Sequence, residues 1–192
     1  MRTVAIRTAR LVLDVPTFAD AELVTHYCQD PLFERYLTTP WPYSRADAEA
    51  FLGTYVPDSW ASGIELTWAI RHEPGAPVLG MISVRETQHE LGFWMGAEHR
   101  GGGLMSEAAS AVAEWTLTGG IRGASTVFWR AVEGNVASAK VARAAGFRRI
   151  EPDDATVPTR DGGTLPAWYA VREAVIDPRA HDSWNIILGG GR

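Results

Sequence analysis

Hydrophobic and polar positions change their period several times along the chain, and each change predicts an element. Residues 10–15 (RLVLDV) alternate at the two-residue period of a strand, which Pro16 ends. Thr17 and Asp20 have capping-box spacing, so a helix follows with Phe18, Ala21, Val24 and Tyr27 on its apolar face. Residues 31–43 hold three prolines and read as a loop. Ser44 and Asp47 open a second helix, with a stripe of Ala48, Phe51, Leu52, Tyr55 and Val56. Three strands come next, at 65–71, 77–86 and 90–95, and their short links imply an antiparallel meander. A helix over 104–117 carries Leu104, Ala108, Ala111, Val112 and Trp115 on one face and stops at Gly119-Gly120. A strand over 124–131 and a short helix capped by Asn135 and ended by Gly146 precede two last strands, at 147–150 and 165–172. The tail from 177 is ambiguous: its WNIIL run (184–188) docks either on the body or on a second subunit, and the glycines at 189–191 read as mobile.

This order gives one mixed α+β domain over 1–192 rather than a regular βα alternation. About seven strands form a mostly antiparallel central sheet, with about four helices. The 192 residues are 46% hydrophobic and 21% charged, enough for a substantial core. A net charge of −5 and the absence of a basic run argue against a nucleic-acid binder. Lys140 is the single lysine. The one cysteine, Cys28, excludes an internal disulfide and fits a reducing, cytoplasmic setting; it has no nucleophile context nearby. No leader is read in residues 1–14, and no stretch approaches the roughly 20 apolar residues of a membrane span. No metal site is expected, since His89-Glu90 lacks the second histidine of H-E-x-x-H.

The segment 90–107 (ELGFWMGAEHRGGGLMSE) carries the chemistry. A strand runs through His99, Arg100, Gly101, Gly102 and Gly103 into a helix. Three glycines remove every Cβ where a ligand could meet the backbone. The free N–H groups of the new helix then favour a phosphate or diphosphate, to which Arg100 could add a charge-assisted contact. Three glycines also suit a plain flexible turn. Two rival phosphate motifs fit worse. No G-x-x-x-x-G-K-[ST] run exists, and Ser106 stands where a dinucleotide fingerprint needs its third glycine, which weakens a reading as a dinucleotide-dependent oxidoreductase.

Arg100-Gly101-Gly102-Gly103-Leu104-Met105 resembles the R/Q-x-x-G-x-G/A signature of the GNAT acyltransferases. Asn135-Val136-Ala137-Ser138, followed by Gly146-Phe147, resembles the N-x-x-S…GF segment of their RimJ/RimL-like branch, which acetylates protein N-termini and small amines. The opening TARLVL (8–13) and the order of elements are similar too, so the likeness covers roughly 8–172. Met105 departs from the usual Gly or Ala.

The resemblance implies transfer of an acetyl group from acetyl-CoA, or another acyl-CoA, to an amine by direct attack. Strands 90–95 and 124–131 would splay apart around pantetheine. Backbone groups of Phe93, Trp94 and Met95 would bind it, and an N–H near Trp94 or Met95 would meet the thioester oxygen. Residues Arg100 to Ser106, including Leu104 and Met105, would hold the diphosphate, with Lys140 and Arg143 further candidates for the nucleotide phosphates.

Glu90 is the first choice of base, ahead of Glu65, Glu133 and His89, each of which also suits a solvated surface. Many relatives use a tyrosine where this chain has Ala142, so Ser138 would meet the leaving sulfur, and Asn135 would both cap its helix and touch pantetheine. Loops 37–43 and 153–164 would shape the acceptor site. Trp41 and Tyr43 would face the substrate there, and Asp153, Asp154 and Asp161 could attract a cationic amine. A non-catalytic acyl-CoA sensor is the alternative on this fold. A homodimer is left open.

Overall fold

The computed structural model describes residues 3–189. Of the terminal glycine run, residues 190 and 191 lie outside them. Nine strands form the sheet: β1 (Ile6–Arg7), β2 (Val12–Asp14), β3 (Glu65–Arg71), β4 (Gly80–Arg85), β5 (Glu90–Met95), β6 (Thr126–Val132), β7 (Arg148–Ile150), β8 (Thr156–Pro158) and β9 (Thr164–Glu173). Their order is β1-β2-β3-β4-β5-β6-β9-β7, with β8 paired to β9. Every pairing is antiparallel except β5 with β6.

The sheet is α+β and mostly antiparallel, as expected, but it has two more strands. β1 and β8 span two and three residues, too short to show an alternating period. The helices are α1 (Ala21–Tyr27), α2 (Pro31–Tyr36), α3 (Arg45–Ala50), α4 (Val56–Ser62), α5 (Leu104–Trp115), α6 (Val136–Ala144) and α7 (Asn185–Leu188). A wide turn at Phe51–Tyr55 joins α3 to α4.

One sequence expectation is corrected here: residues 31–36 are helix, not loop. The Asp30 carboxylate accepts from Leu32 N–H at 2.9 Å, and Pro31 occupies the first helical position, where its missing N–H costs nothing. The capping boxes at Thr17–Asp20 and Ser44–Asp47 both form. Phe18 departs from its expected apolar face and is 56% exposed.

Strand alternation divides the core in two. Leu66, Trp68, Ile70, Leu91, Met95, Val127 and Trp129 pack on one face with α5 and α6. Small residues on these helices, Ala108, Ala109, Ala113, Ala139 and Ala142, let them approach the sheet closely. The tail docks on this face. Trp184 is fully buried, its Nε1 donates to the Phe147 carbonyl at 2.8 Å, and its ring meets Trp129 edge-on at 5.5 Å.

On the opposite face Ala69, Val78 and Met81 pack with Tyr27, Phe33, Ala48 and Leu52. Here Arg71 joins sheet to helix. It donates twice to Asp20 (2.8 and 2.7 Å) and once to Asp14 (2.8 Å), with only 6% of its side chain exposed. Cys28 lies in the same cluster, and burial pushes its thiol up to about 12.

Candidate active site

The parallel pair β5–β6 holds only at its start, at Glu90↔Phe128 and Leu91↔Trp129. Beyond that point β5 continues with β4 to Met95, while β6 continues with β9 to Val132. The two strands therefore separate into a wedge. Gly80 brings β4 tightly against the far end of β5: a Cβ added there would lie 2.4 Å from the Trp94 carbonyl and 2.8 Å from Met95 Cα.

Hydrogen-bond parity shows which backbone groups face the wedge. The His89 carbonyl accepts from Phe128 N–H (2.9 Å), and Gly96 N–H donates to the Leu79 carbonyl (2.9 Å). Odd residues of β5 thus point toward β6 and even ones toward β4. Phe93 and Met95 face the gap with no strand opposite, whereas Trp94, opposite Met81, belongs to the β4 ladder. Of the three strand residues read from the sequence, Trp94 is thereby removed as a backbone donor to the gap. Its ring packs edge-on against Tyr27 and Phe33 on the other face.

A cavity of about 760 Å³ occupies the wedge. At one end lies the glycine turn. Gly101 (φ 88°) and Gly103 (φ 75°) adopt the left-handed conformation that a side chain disfavours. Gly103 precedes α5 with no side-chain cap, and the first helical bond runs from Glu107 N–H to the Gly103 carbonyl. The amides of Leu104, Met105 and Ser106 are left open at the helix start. Gly102 itself does not border the cavity. Its carbonyl accepts from Arg10 (3.0 Å), which also pairs with Glu107 (2.6 Å), bolting the turn to the β1–β2 link.

Arg100 borders the cavity, but its guanidinium is engaged locally. It donates twice to the Met95 carbonyl (3.0 and 2.8 Å) and pairs with Asp30 at 2.7 Å. The unengaged groups of the wedge wall are therefore Phe93 N–H, Phe93 C=O and Met95 N–H.

Across the gap from the turn, Asn135 caps α6 by accepting from Ser138 N–H at 3.2 Å. The Ser138 hydroxyl accepts from Trp129 Nε1 at 3.2 Å. Asn135, Ser138 and Lys140 all border the cavity, and Ala142 faces the core at 1% exposure. Arg143 does not border it.

The far end is charged. Glu65, Arg85, Glu90 and Arg130 form an alternating row across four strands: Arg85–Glu65 3.5 Å, Arg85–Glu90 3.2 Å and Arg130–Glu90 2.9 Å. Tyr55 donates to Glu65 at one end (2.6 Å), and Arg130 donates to the Tyr169 hydroxyl at the other (3.3 Å). Burial opposes the charge on Arg130, but Tyr169 and Glu90 outweigh it and raise its pKa. Both Glu90 oxygens already accept from guanidinium groups, so a proton taken there would displace a charge-assisted bond. Of the weaker candidates for base, Glu65 is buried in this row and Glu133 is exposed away from the cavity. His89 forms the tight β4–β5 turn with φ 48°.

The expected substrate aromatics are corrected. Tyr43 is buried in the second core, and Trp41 packs against that core. The cavity is bordered instead by Leu32–Thr38, because residues 31–36 coil into a helix that occupies its rim. The β8–β9 hairpin borders it from the other side through Val157 to Arg160. Arg160 spans between them, donating to the carbonyls of Phe33 (2.8 Å), Glu34 (2.7 Å), Leu37 (2.7 Å) and Thr39. Asp153 and Asp154 are exposed away from the cavity, and Asp161 accepts from Thr159 and Gly163 within its own turn.

Sequence reasoning missed Arg85, Arg130, Arg160 and the polar role of Trp129. It also missed His99, which borders the cavity with its Nε2 2.9 Å from the Tyr27 hydroxyl. Apart from His99, which directly precedes the glycine turn, none of these has a local motif, since each is brought in by strand pairing or a contact between separate segments. No group of three or more His, Cys, Asp or Glu among the described residues could hold a metal ion, and none of their helices is long and apolar enough to cross a membrane.

A family model described as an acetyltransferase (GNAT) domain matches residues 10–148. Solved structures share the fold at low identity. A GNAT-family acetyltransferase from Bacillus anthracis is 18% identical, with a TM-score of 0.74 over 89% of this chain and 99% of that one. RimL, a ribosomal L7/L12 alpha-N-protein acetyltransferase in complex with coenzyme A, is 16% identical with a TM-score of 0.73 over 91% and 100%. Mycobacterium smegmatis RimJ, in complex with CoA-disulfide, is 13% identical with a TM-score of 0.72 over 96% and 93%. No curated protein matches the sequence significantly.

Proposed function

The chain belongs to the GNAT acetyltransferase family, and on that premise we propose that it moves an acetyl group from acetyl-CoA to a primary amine, as a member of the RimJ/RimL-like branch. The observation that carries this reading is the wedge between β5 and β6, open along unpaired backbone and closed at one end by the uncapped start of α5. The diphosphate meets the amides of Leu104, Met105 and Ser106, where Gly101 and Gly103 keep side chains away. The pantetheine arm, entering from the turn, hydrogen-bonds Met95 first, and Phe93 N–H, nearer the closed end of the wedge, faces the thioester oxygen as charge develops on it. The acceptor enters from the arginine-rich end, between α2 and the β8–β9 hairpin, with Arg130 and Glu90 orienting it.

Attack requires a neutral amine. An α-amino group, with a pKa near about 8, offers more of it at neutral pH than a lysine amine near about 10.4. The reading therefore favours chain-terminal or amino-acid amines over lysine side chains. Ser138 donates a hydrogen bond to the departing sulfur, and Asn135 holds its helix turn in place.

The test is an acceptor panel of N-terminal peptides, amino acids and polyamines with acetyl-CoA, followed by released thiol and by acceptor mass. Cys28 is buried with its thiol pushed up to about 12, so the protein adds little background to a thiol reagent. Turnover with any panel amine is expected. Tight acetyl-CoA binding without turnover would favour the sensor reading instead.

A further inference from the structure

The Trp129 indole is 1% exposed, and its only polar atom donates to Ser138 Oγ at 3.2 Å. An indole N–H can only donate, so the serine oxygen must be the acceptor in this contact. The hydroxyl proton is then left to another partner. Among the described residues no group accepts it, and Ser138 borders the cavity. A hydroxyl that accepts one hydrogen bond becomes a stronger donor in the next. The indole is itself fixed from behind by the edge of Trp184, whose Nε1 is tied to the Phe147 carbonyl.

We propose that Trp129 is a positioning residue that commits the Ser138 hydroxyl to donating into the cavity, toward the sulfur of the departing thiol. This rests on the acetyltransferase reading above. In the step concerned, the amine nitrogen forms the C–N bond, and the C–S bond breaks with its electron pair on sulfur. The proton lost by nitrogen is matched by the one sulfur finally gains. Ser138 keeps its own proton and stabilises the thiolate by a hydrogen bond while this exchange is completed. Without the indole N–H, the serine oxygen is free to rotate and accept from elsewhere, and the stabilisation weakens.

A double-mutant cycle of Ser138→Ala and Trp129→Phe tests this, read as kcat and as KM for acetyl-CoA, with melting temperature recorded alongside. Ser138→Ala is expected to lower kcat by about tenfold, the effect of one hydrogen bond to a charged group. Trp129→Phe is expected to lower kcat about fivefold with KM for acetyl-CoA little changed, and to have no further effect when Ser138 is already alanine. Equal losses from Trp129→Phe in both backgrounds would make the indole merely structural and overturn the inference, leaving the role of Ser138 intact. Unchanged kcat in Ser138→Ala would remove that role, and the inference with it. Should Trp129→Phe fail to fold, 3-benzothienyl-alanine at position 129 keeps the two-ring outline and replaces N–H by sulfur. The same fivefold loss is expected, and full activity would overturn the proposal.

Discussion

The two faces of the sheet are built by different means. On the face of α5 and α6, alanines and tryptophans pack closely, and the cavity wall there is made of backbone amides at a glycine turn and a helix start. Arginines make long-range joins on both faces, Arg10 to Glu107 and Arg172 to Ser110 and Ala145 on the first, but on the face of α1 to α3 they are the main device. Arg71 reaches Asp14 and Asp20, Arg100 reaches Asp30, Arg85 and Arg130 bracket Glu90, and Arg160 binds carbonyls around α2. The first face offers a binding surface that depends little on side-chain identity, which suits a constant donor molecule. The second offers one defined almost wholly by side chains, which suits an acceptor that differs from protein to protein.

Substitutions on each face sharpen this contrast. The largest expected effect is that of Asp20→Ala, which leaves the Arg71 guanidinium buried and half-paired; we expect a loss of about 3–5 kcal/mol in urea unfolding. Next is Gly103→Val, which forces a β-branched residue to φ 75° beside the open amides. KM for acetyl-CoA should rise roughly tenfold while KM for the acceptor stays put. A change in the acceptor term instead would break the division between the faces.

Arg160→Ala should do the converse, raising acceptor KM about threefold with acetyl-CoA unaffected. The smallest effect concerns pH. Burial pushes the Glu107 carboxyl up, but bonds from Thr8 and Arg10 outweigh it and hold its pKa below the ordinary glutamate value. The stability it confers is complete above that ordinary value and disappears as pH falls through the lowered native one. Glu107→Gln should therefore be less stable than the parent at pH 7, with the gap closing in acid, as followed by denaturant titration.

The same contrast explains what could be read from sequence. β3 and β5 matched their expected bounds to the residue, because both are flanked by turn signals and β3 also alternates. The glycine turn and the Asn135 cap were legible because each is a local device within a few residues. The acceptor end was not. Prolines at 31, 40 and 42 suggested loop throughout, while Asp30 and Pro31 in fact begin a helix. That helix displaced Trp41 and Tyr43 from the cavity. The row from Glu65 to Arg130 depends on the register of four strands, which no local pattern encodes.

The burial of Trp184 makes residues 182–188 part of the wall behind the reaction chamber. Its indole backs Trp129 and occupies the Phe147 carbonyl, although it lies far from β6 in sequence. Proteolysis of the exposed connection between β9 and residue 182 would thus loosen that wall rather than trim an idle appendage.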